Sequence, residues 1–124
     1  MSIMEIKKEH ARVWLEMANK VNECLKNLDT DNTKPVNTIL DNMNTLLKET
    51  GYKVLSDYQT NEYEYFDFDL FRKDGYGLRI FLGYKWFNEV HVHGLRDMYL
   101  YAPKDEDDYM SDVTIEELEK LLEE

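Results

Sequence analysis

Tyr63-Glu64-Tyr65-Phe66-Asp67-Phe68-Asp69-Leu70-Phe71-Arg72 decides the fold of this 124-residue chain. Phe66, Phe68 and Leu70 alternate with Tyr65, Asp67, Asp69 and Phe71. A period of two puts the first set on one side of an extended strand and the second set on the other. The spacing predicts a strand over about 62–72, with companions at about 52–59, 78–86, 89–93 and 97–102. The gaps hold turn chemistry: Thr60-Asn61, Asp74-Gly75-Tyr76-Gly77, Phe87-Asn88 and Gly94-Leu95-Arg96. Short gaps imply an antiparallel meander of four or five strands over about 52–102.

Upstream of Tyr52 the period is 3.6. Val13, Met17, Val21, Cys24 and Leu28, widened by Trp14, Ala18 and Leu25, line one side of a helix over about 3–28. Ser2 and Glu5 have capping-box spacing. Residues 29–34 break the pattern. Asp29 and Asp31 there lack the glycine and closing glutamate of a calcium loop, so a helix connection is expected. Pro35 suits the first turn of a second helix over about 35–50. Val36, Ile39, Leu40, Met43, Leu46 and Leu47 give it an apolar stripe, and Gly51 follows its end. An antiparallel helical hairpin is predicted. At the other end of the chain, an acidic loop over 104–112 leads to a helix over 114–123. Thr114 and Glu117 form a capping box there, Val113 is placed to staple onto Leu118, and Ile115, Leu118, Leu121 and Leu122 form the apolar side. The expected architecture is a single α+β domain over 1–124.

Register follows from the requirement that apolar residues share a side. Pairing Leu70 with Ile80, Phe68 with Leu82 and Leu82 with Val92 meets it. That register sets Lys85 opposite Glu89 and Gly83 opposite His91. The helical hairpin then packs on Phe66, Ile80 and Val92. The opposite side carries Tyr63, Tyr65, Asp67, Asp69 and Phe71, then Arg79, Phe81 and Lys85, then Glu89, His91 and His93, joined by Tyr99 and Tyr101. Rings interleaved with charges are the composition of a recognition surface. The bland alternative is that the last helix or a loop covers part of it.

Charge is lopsided. Residues 104–124 carry 10 acidic and 2 basic side chains of the chain's 26 and 15, a net of −8 out of −11. Such a segment repels nucleic acid and anionic lipid and attracts basic protein surfaces. Arg72, Lys73 and Arg79 are a weak basic patch on so acidic a chain, so direct nucleic-acid binding is not expected. The start of the chain lacks a basic region followed by an apolar stretch, no apolar run approaches membrane-spanning length, and the single cysteine, Cys24, forms no internal disulfide. A cytoplasmic location is expected.

Catalytic signatures are sparse. The three serines, Ser2, Ser56 and Ser111, lie outside any Gly-x-Ser-x-Gly elbow. Cys24 sits on an apolar stripe and reads as a small hydrophobe. Asp67 and Asp69 read as solvated or partner-binding carboxylates before an acid–base pair. Asp74-Gly75-Tyr76-Gly77 sits in a hairpin, not before a helix, and is not a phosphate loop. Glu89-Val90-His91-Val92-His93 puts a carboxylate and two imidazoles on alternate positions, the donor types of a zinc or iron site, but the remaining histidine, His10, is on the first helix. Surface histidines without metal are the expected state, and no cofactor is expected.

The function expected from these features is a non-enzymatic inhibitor that occupies a basic, nucleic-acid-binding surface of a partner protein, such as a nuclease or a nucleic-acid-guided complex. Asp105, Glu106, Asp107, Asp108 and Asp112 stand in for phosphates, with Tyr63, Tyr65, Asp67, Asp69, Phe81, Tyr99 and Tyr101 as the aromatic sheet surface. In size and charge the chain resembles phage-encoded antagonists of bacterial nucleases, anti-CRISPR proteins among them. The alternative is a dedicated chaperone or immunity protein for one secreted effector or toxin. A third reading is a small metal-dependent enzyme using Glu89, His91 and His93.

Overall fold

Alternation from residue 53 onward builds one antiparallel sheet in the computed structural model, which describes residues 8–28, 34–57, 63–87, 89–95, 97–103 and 109–123. For residues 56, 57, 63, 64, 97 and 109–112 the description is of the backbone alone. Helices α1 (Lys8–Leu25) and α2 (Val36–Lys48) precede the strands. These are β1 (Lys53–Asp57), β2 (Tyr63–Phe71), β3 (Gly77–Trp86), β4 (Glu89–Val92), β5 (Asp97–Tyr101) and β6 (Tyr109–Thr114), and α3 (Ile115–Glu123) closes the chain. The α+β order expected from the periodicity is the order observed. The Ser2/Glu5 box and the Asp29/Asp31 segment lie outside the described residues.

The sheet runs β1-β2-β3-β5-β6, with β4 also on β3. The ten-residue β3 is long enough to serve two partners along one edge. Its first half pairs with β5 over Gly77–Ile80 and its second half with β4 over Gly83–Trp86. Both partners are antiparallel to β3, so β4 and β5 run the same way, end to end, β4 finishing at Val92 and β5 starting at Asp97. Gly94, at φ 73°, takes the left-handed turn that side chains resist. The His93 amide still donates to the Leu82 carbonyl, at 3.0 Å.

Three expectations are corrected. First, 109–112 is not loop: Tyr109–Thr114 is strand β6 and pairs with β5, Met98 lying opposite Val113. The acidic run ahead of it masks a segment of β-forming residues. Second, the β2–β3 register is two residues from the expected one, with Phe68 opposite Ile80 and Leu70 opposite Leu78. Gly77 is the cause. Assigned to the turn by its type, it is a strand residue opposite Phe71, whose ring occupies the space a side chain on Gly77 would need. Third, Gly83 pairs with Val92, Tyr84 with His91, Lys85 with Val90 and Trp86 with Glu89, one residue from the expected β3–β4 register. The slip arises at a bulge. Tyr65 pairs with Tyr84 and Asp67 with Phe81, so Leu82 and Gly83 together face Phe66. A side chain on Gly83 would run into the His91 carbonyl. It therefore holds a close backbone approach and not the open space expected beside the imidazole.

One sheet face is the core floor. Phe66, Phe68, Leu70, Leu78, Ile80, Leu82, Met98 and Leu100 are all buried there, under Trp14, Met17 and Val21 of α1 and Ile39, Met43 and Leu47 of α2. The Trp14 indole N–H donates to the Tyr101 carbonyl, at 2.9 Å, fixing α1 against β5. The predicted cap of α3 forms in both directions. The Glu117 amide donates to Thr114 Oγ1, at 3.2 Å, and the Thr114 amide to Glu117 Oε1, at 3.3 Å. Leu118 is buried in the same core and α3 packs on α1, which places the last helix on the helical side of the sheet.

Candidate functional site

The other sheet face is what the helices leave bare. Pleating sends Tyr65, Asp67, Asp69 and Phe71 of β2 to it, and Arg79 and Phe81 of β3. The bulge then changes the parity of β3, so Tyr84 and Trp86 join this face and Lys85 turns to the inner side opposite Val90. This corrects the expected placement of Lys85 and its pairing with Glu89. Glu89 and His91 of β4, Tyr99 and Tyr101 of β5 and Lys53 and Leu55 of β1 also lie on this face.

The rings touch in sequence across the strands. His91 stacks on Tyr84 with centroids 4.8 Å apart and planes 19° from parallel. Tyr84 meets Tyr65 edge to face at 6.1 Å, Tyr65 meets Phe81 at 6.3 Å, and Phe81 meets Tyr99 at 5.5 Å. A five-ring ribbon thus crosses β4, β3, β2 and β5, and Phe71 with Tyr101, 5.6 Å apart, forms a second pair. Edge-to-face contacts fix ring orientation while leaving part of each ring in solvent. Tyr65 is 48% exposed, Trp86 47% and Leu55 44%. At the β3–β4 tip Trp86 meets Phe87 at 4.9 Å, and Phe87, 50% exposed, has φ 52°. A phenylalanine in the left-handed region is strained, a state that clusters at functional sites.

Charge on this face is partly settled within it. Arg79 Nε donates to Asp69 Oδ1 at 2.9 Å and its Nη2 to Asp69 Oδ2 at 3.0 Å, a two-pronged pair beside the ribbon. The hydrogen bonds to Asp69 push Arg79 above the ordinary arginine range, against the opposing effect of burial, and Asp67 adds to the rise. Asp69, expected among the partner-binding residues, is engaged with Arg79 within the chain. Glu89 Oε2 lies 3.3 Å from His91 Nε2.

The structure brings Tyr65, Asp67, Asp69, Phe81, Tyr99 and Tyr101 onto one surface, and Tyr63 takes a register position opposite Trp86. Asp105, Glu106, Asp107 and Asp108 lie outside the described residues; Asp112 is in β6, described by its backbone alone. Tyr84 and Trp86 are the members the sequence reading left out. Gly83, a glycine inside a strand, was the available signal for the bulge that puts them here.

The Glu89-x-His91-x-His93 array does not converge. His93 lies past the end of β4, its Nδ1 2.9 Å from the Gly94 carbonyl oxygen, and it lines a cleft with Leu25 and Leu28, while His91 lies on Tyr84. Among the described residues no three His, Cys, Asp or Glu side chains gather closely enough to hold a metal ion. Burial, then the nearby Glu49, pushes the Cys24 thiol above its ordinary pKa, opposite to the activation of a nucleophile. Among the described residues no helix is long and apolar enough to cross a membrane.

A broad, ring-bearing surface with a neutralised ion pair suits contact with another macromolecule better than enclosure of a small substrate. No protein-family model, no curated protein and no solved structure matches the chain.

Proposed function

We propose that this protein is a non-enzymatic inhibitor that docks on a basic, nucleic-acid-binding surface of a partner protein. The observation that carries the reading is the ribbon His91–Tyr84–Tyr65–Phe81–Tyr99 on the sheet face opposite the helices, with Tyr65 and Trp86 nearly half exposed. Aromatic anchors of this kind carry most of the energy in protein interfaces. The partner's sign comes from charge: −11 overall, with −8 over residues 104–124. Carboxylates placed in a groove built for phosphates meet Arg and Lys as charge-assisted pairs, and the rings supply apolar contact. The activity would be that of an anti-defence protein of the anti-CRISPR kind, a mimic of DNA or RNA.

Competition tests the reading. With a captured partner that is a nuclease or a nucleic-acid-guided complex, this protein and the partner's DNA or RNA should exclude one another. Affinity should fall as salt rises. Replacing Asp105, Glu106, Asp107 and Asp108 together by Ser should slow association, because these charges steer the encounter. A ternary complex of partner, nucleic acid and this protein would reject mimicry. A secreted toxin as the sole partner would transfer the protein to the immunity or chaperone class.

A further inference from the structure

At the β1 edge of the sheet, beside Phe71 of the aromatic face, the cations of this acidic chain are not evenly spread. A cavity of about 720 Å³ opens between α1, the turn from α2 to β1, and the β2–β3 hairpin. Lys20, Lys53, Arg72 and Lys73 line it, and among the described residues no carboxylate does. The chain has 26 acidic and 15 basic side chains, so four bases with no acid in one lining is a segregated arrangement. Like charges held together repel, and the arrangement is relieved when an anion sits among them.

The cations differ in how far they are committed. The Arg72 guanidinium is shared with Asp74, at 2.8 Å, and lies 5.7 Å from the Tyr76 ring centre. Lys20 Nζ sits 5.1 Å from the centre of the Tyr52 ring, a contact that holds the ammonium over the cavity floor. Lys53 and Lys73 form no ion pair among the described residues. The backbone offers little. The amides of Thr50 and Gly51 donate to the carbonyls of Leu47 and Lys48, the Tyr52 amide to Thr50 Oγ1, and the Arg72 amide to the Tyr76 carbonyl. An anion here is therefore held by side chains: three ammonium groups, the free part of a guanidinium and the Tyr52 hydroxyl. Burial, then Glu16, pushes that hydroxyl above the ordinary tyrosine range, so it remains a proton donor at neutral pH. The volume lies within the ~300–1,000 Å³ of small-molecule sites, and the rings of Tyr52 and Phe71 give an apolar wall beside the charges.

We infer that the cavity formed by Lys20, Lys53, Arg72 and Lys73 binds the polyphosphate of a small phosphorylated molecule, a nucleoside triphosphate or a free polyphosphate. Three ammonium groups and a guanidinium match the three to four charges of a triphosphate. A carboxylate ligand of the same size offers fewer acceptor oxygens to the same donors. None of the five rings of the ribbon lines the cavity; Phe71 is the ring, and Lys53 the cation, that it shares with the aromatic face.

Amide chemical shifts of the full-length protein, titrated at constant ionic strength with ATP, inorganic tripolyphosphate and adenosine, test it. ATP and tripolyphosphate should give saturable shifts at Lys20, Gly51, Lys53 and Lys73, and adenosine none. Equal affinity for the two assigns the site to polyphosphate alone; tighter ATP adds recognition of the nucleoside; both support the inference. Replacing Lys20, Lys53 and Lys73 together by Gln should weaken binding by roughly tenfold for each ammonium that contacts phosphate. Should that variant unfold, Lys73→Glu alone, at an exposed turn position, makes the same comparison. Non-saturable shifts scattered over all lysines, or unchanged affinity in a folded variant, would overturn it. So would binding of a single-stranded oligonucleotide by these residues with none of ATP, since the cavity would then be part of a nucleic-acid surface.

Discussion

Asp67 and Phe68 are neighbours in the chain and belong to opposite worlds in the fold. Phe68 lies on the inner face of the sheet, fully buried with Phe66, Leu70 and Ile80 beneath two helices. Asp67 lies on the outer face, half-buried among Tyr65, Asp69 and Phe81. From Phe66 to Leu70 in β2 and from Leu78 to Leu82 in β3 the inner face is apolar, so burial fixes its register there. The outer face has no such constraint, and its membership is decided by the backbone. At Leu82 and Gly83 the bulge advances β3 by one residue, and two rings that strict alternation would send inward, Tyr84 and Trp86, emerge outward. The core therefore sets where the strands lie, and one glycine sets which residues the protein shows.

The largest expected effect is on the inner side. Phe68→Ala should cost ~3–5 kcal/mol, the transfer term plus the cavity it leaves. Phe81→Ala, one residue type on the opposite face, should cost about 1–2 kcal/mol, since its ring is partly solvated and loses two edge contacts. Urea unfolding of both variants reads the contrast directly. Equal costs would mean that the outer face is covered in solution, and would break the distinction between the two.

Next comes the hinge between them. Gly83→Ala places a methyl group against the His91 carbonyl, so either β4 moves off β3 or the bulge closes. The expected cost is ~1–3 kcal/mol, the usual range for forcing extra volume into a packed site. The accompanying change should be local: resonances of Tyr84, Trp86 and His91 shift while those of Leu70 and Leu78 stay. A variant with native melting temperature and native shifts at His91 would remove the bulge as the determinant of the outer face.

Much of this was legible in the chain. The 2-residue alternation of Phe66, Phe68 and Leu70, the 3.6-residue stripes of α1 and α2 and the Thr114/Glu117 box each encode their structure locally, and each has its counterpart in the fold. What was not legible depended on contacts distant in sequence. Gly77 reads as a turn residue until Phe71 is seen lying over it. Residues 109–112 read as the end of an acidic loop until β5 supplies a partner for the strand that continues through Val113. Lys85 and Tyr84 exchange faces because of a glycine whose role is visible only against His91. The site followed the same division: the β2 and β5 rings obeyed simple alternation, and the rings beyond the bulge did not. The Lys20, Lys53, Arg72 and Lys73 cavity draws on α1, β1 and a hairpin, and no single stretch of sequence announces it.

The smallest expected effect on stability is at the most exposed rings of the outer face, and it is the sharpest test of what that face is for. Tyr65 and Trp86 are each nearly half exposed. Tyr65 makes two edge-to-face contacts and Trp86 one with Phe87. Replacing both by Ser removes ring contacts worth about 0.5–1.5 kcal/mol each where well buried, less where solvent already reaches the rings. The pair should cost no more than about 1 kcal/mol, far less than Phe68→Ala. Binding should respond in the opposite order. Exposed aromatic anchors contribute little to the free protein and much to an interface that dehydrates them, so the double variant should lose partner affinity by roughly a hundredfold. Phe81→Ala, at a less exposed ring between Tyr65 and Tyr99, should weaken both properties moderately by unseating these two neighbours. Calorimetric melting and affinity measured on the same samples separate the cases. A Tyr65→Ser, Trp86→Ser protein that melts normally and binds its partner normally would show that the rings serve the sheet and not the interface, leaving the acidic segment to carry recognition by itself.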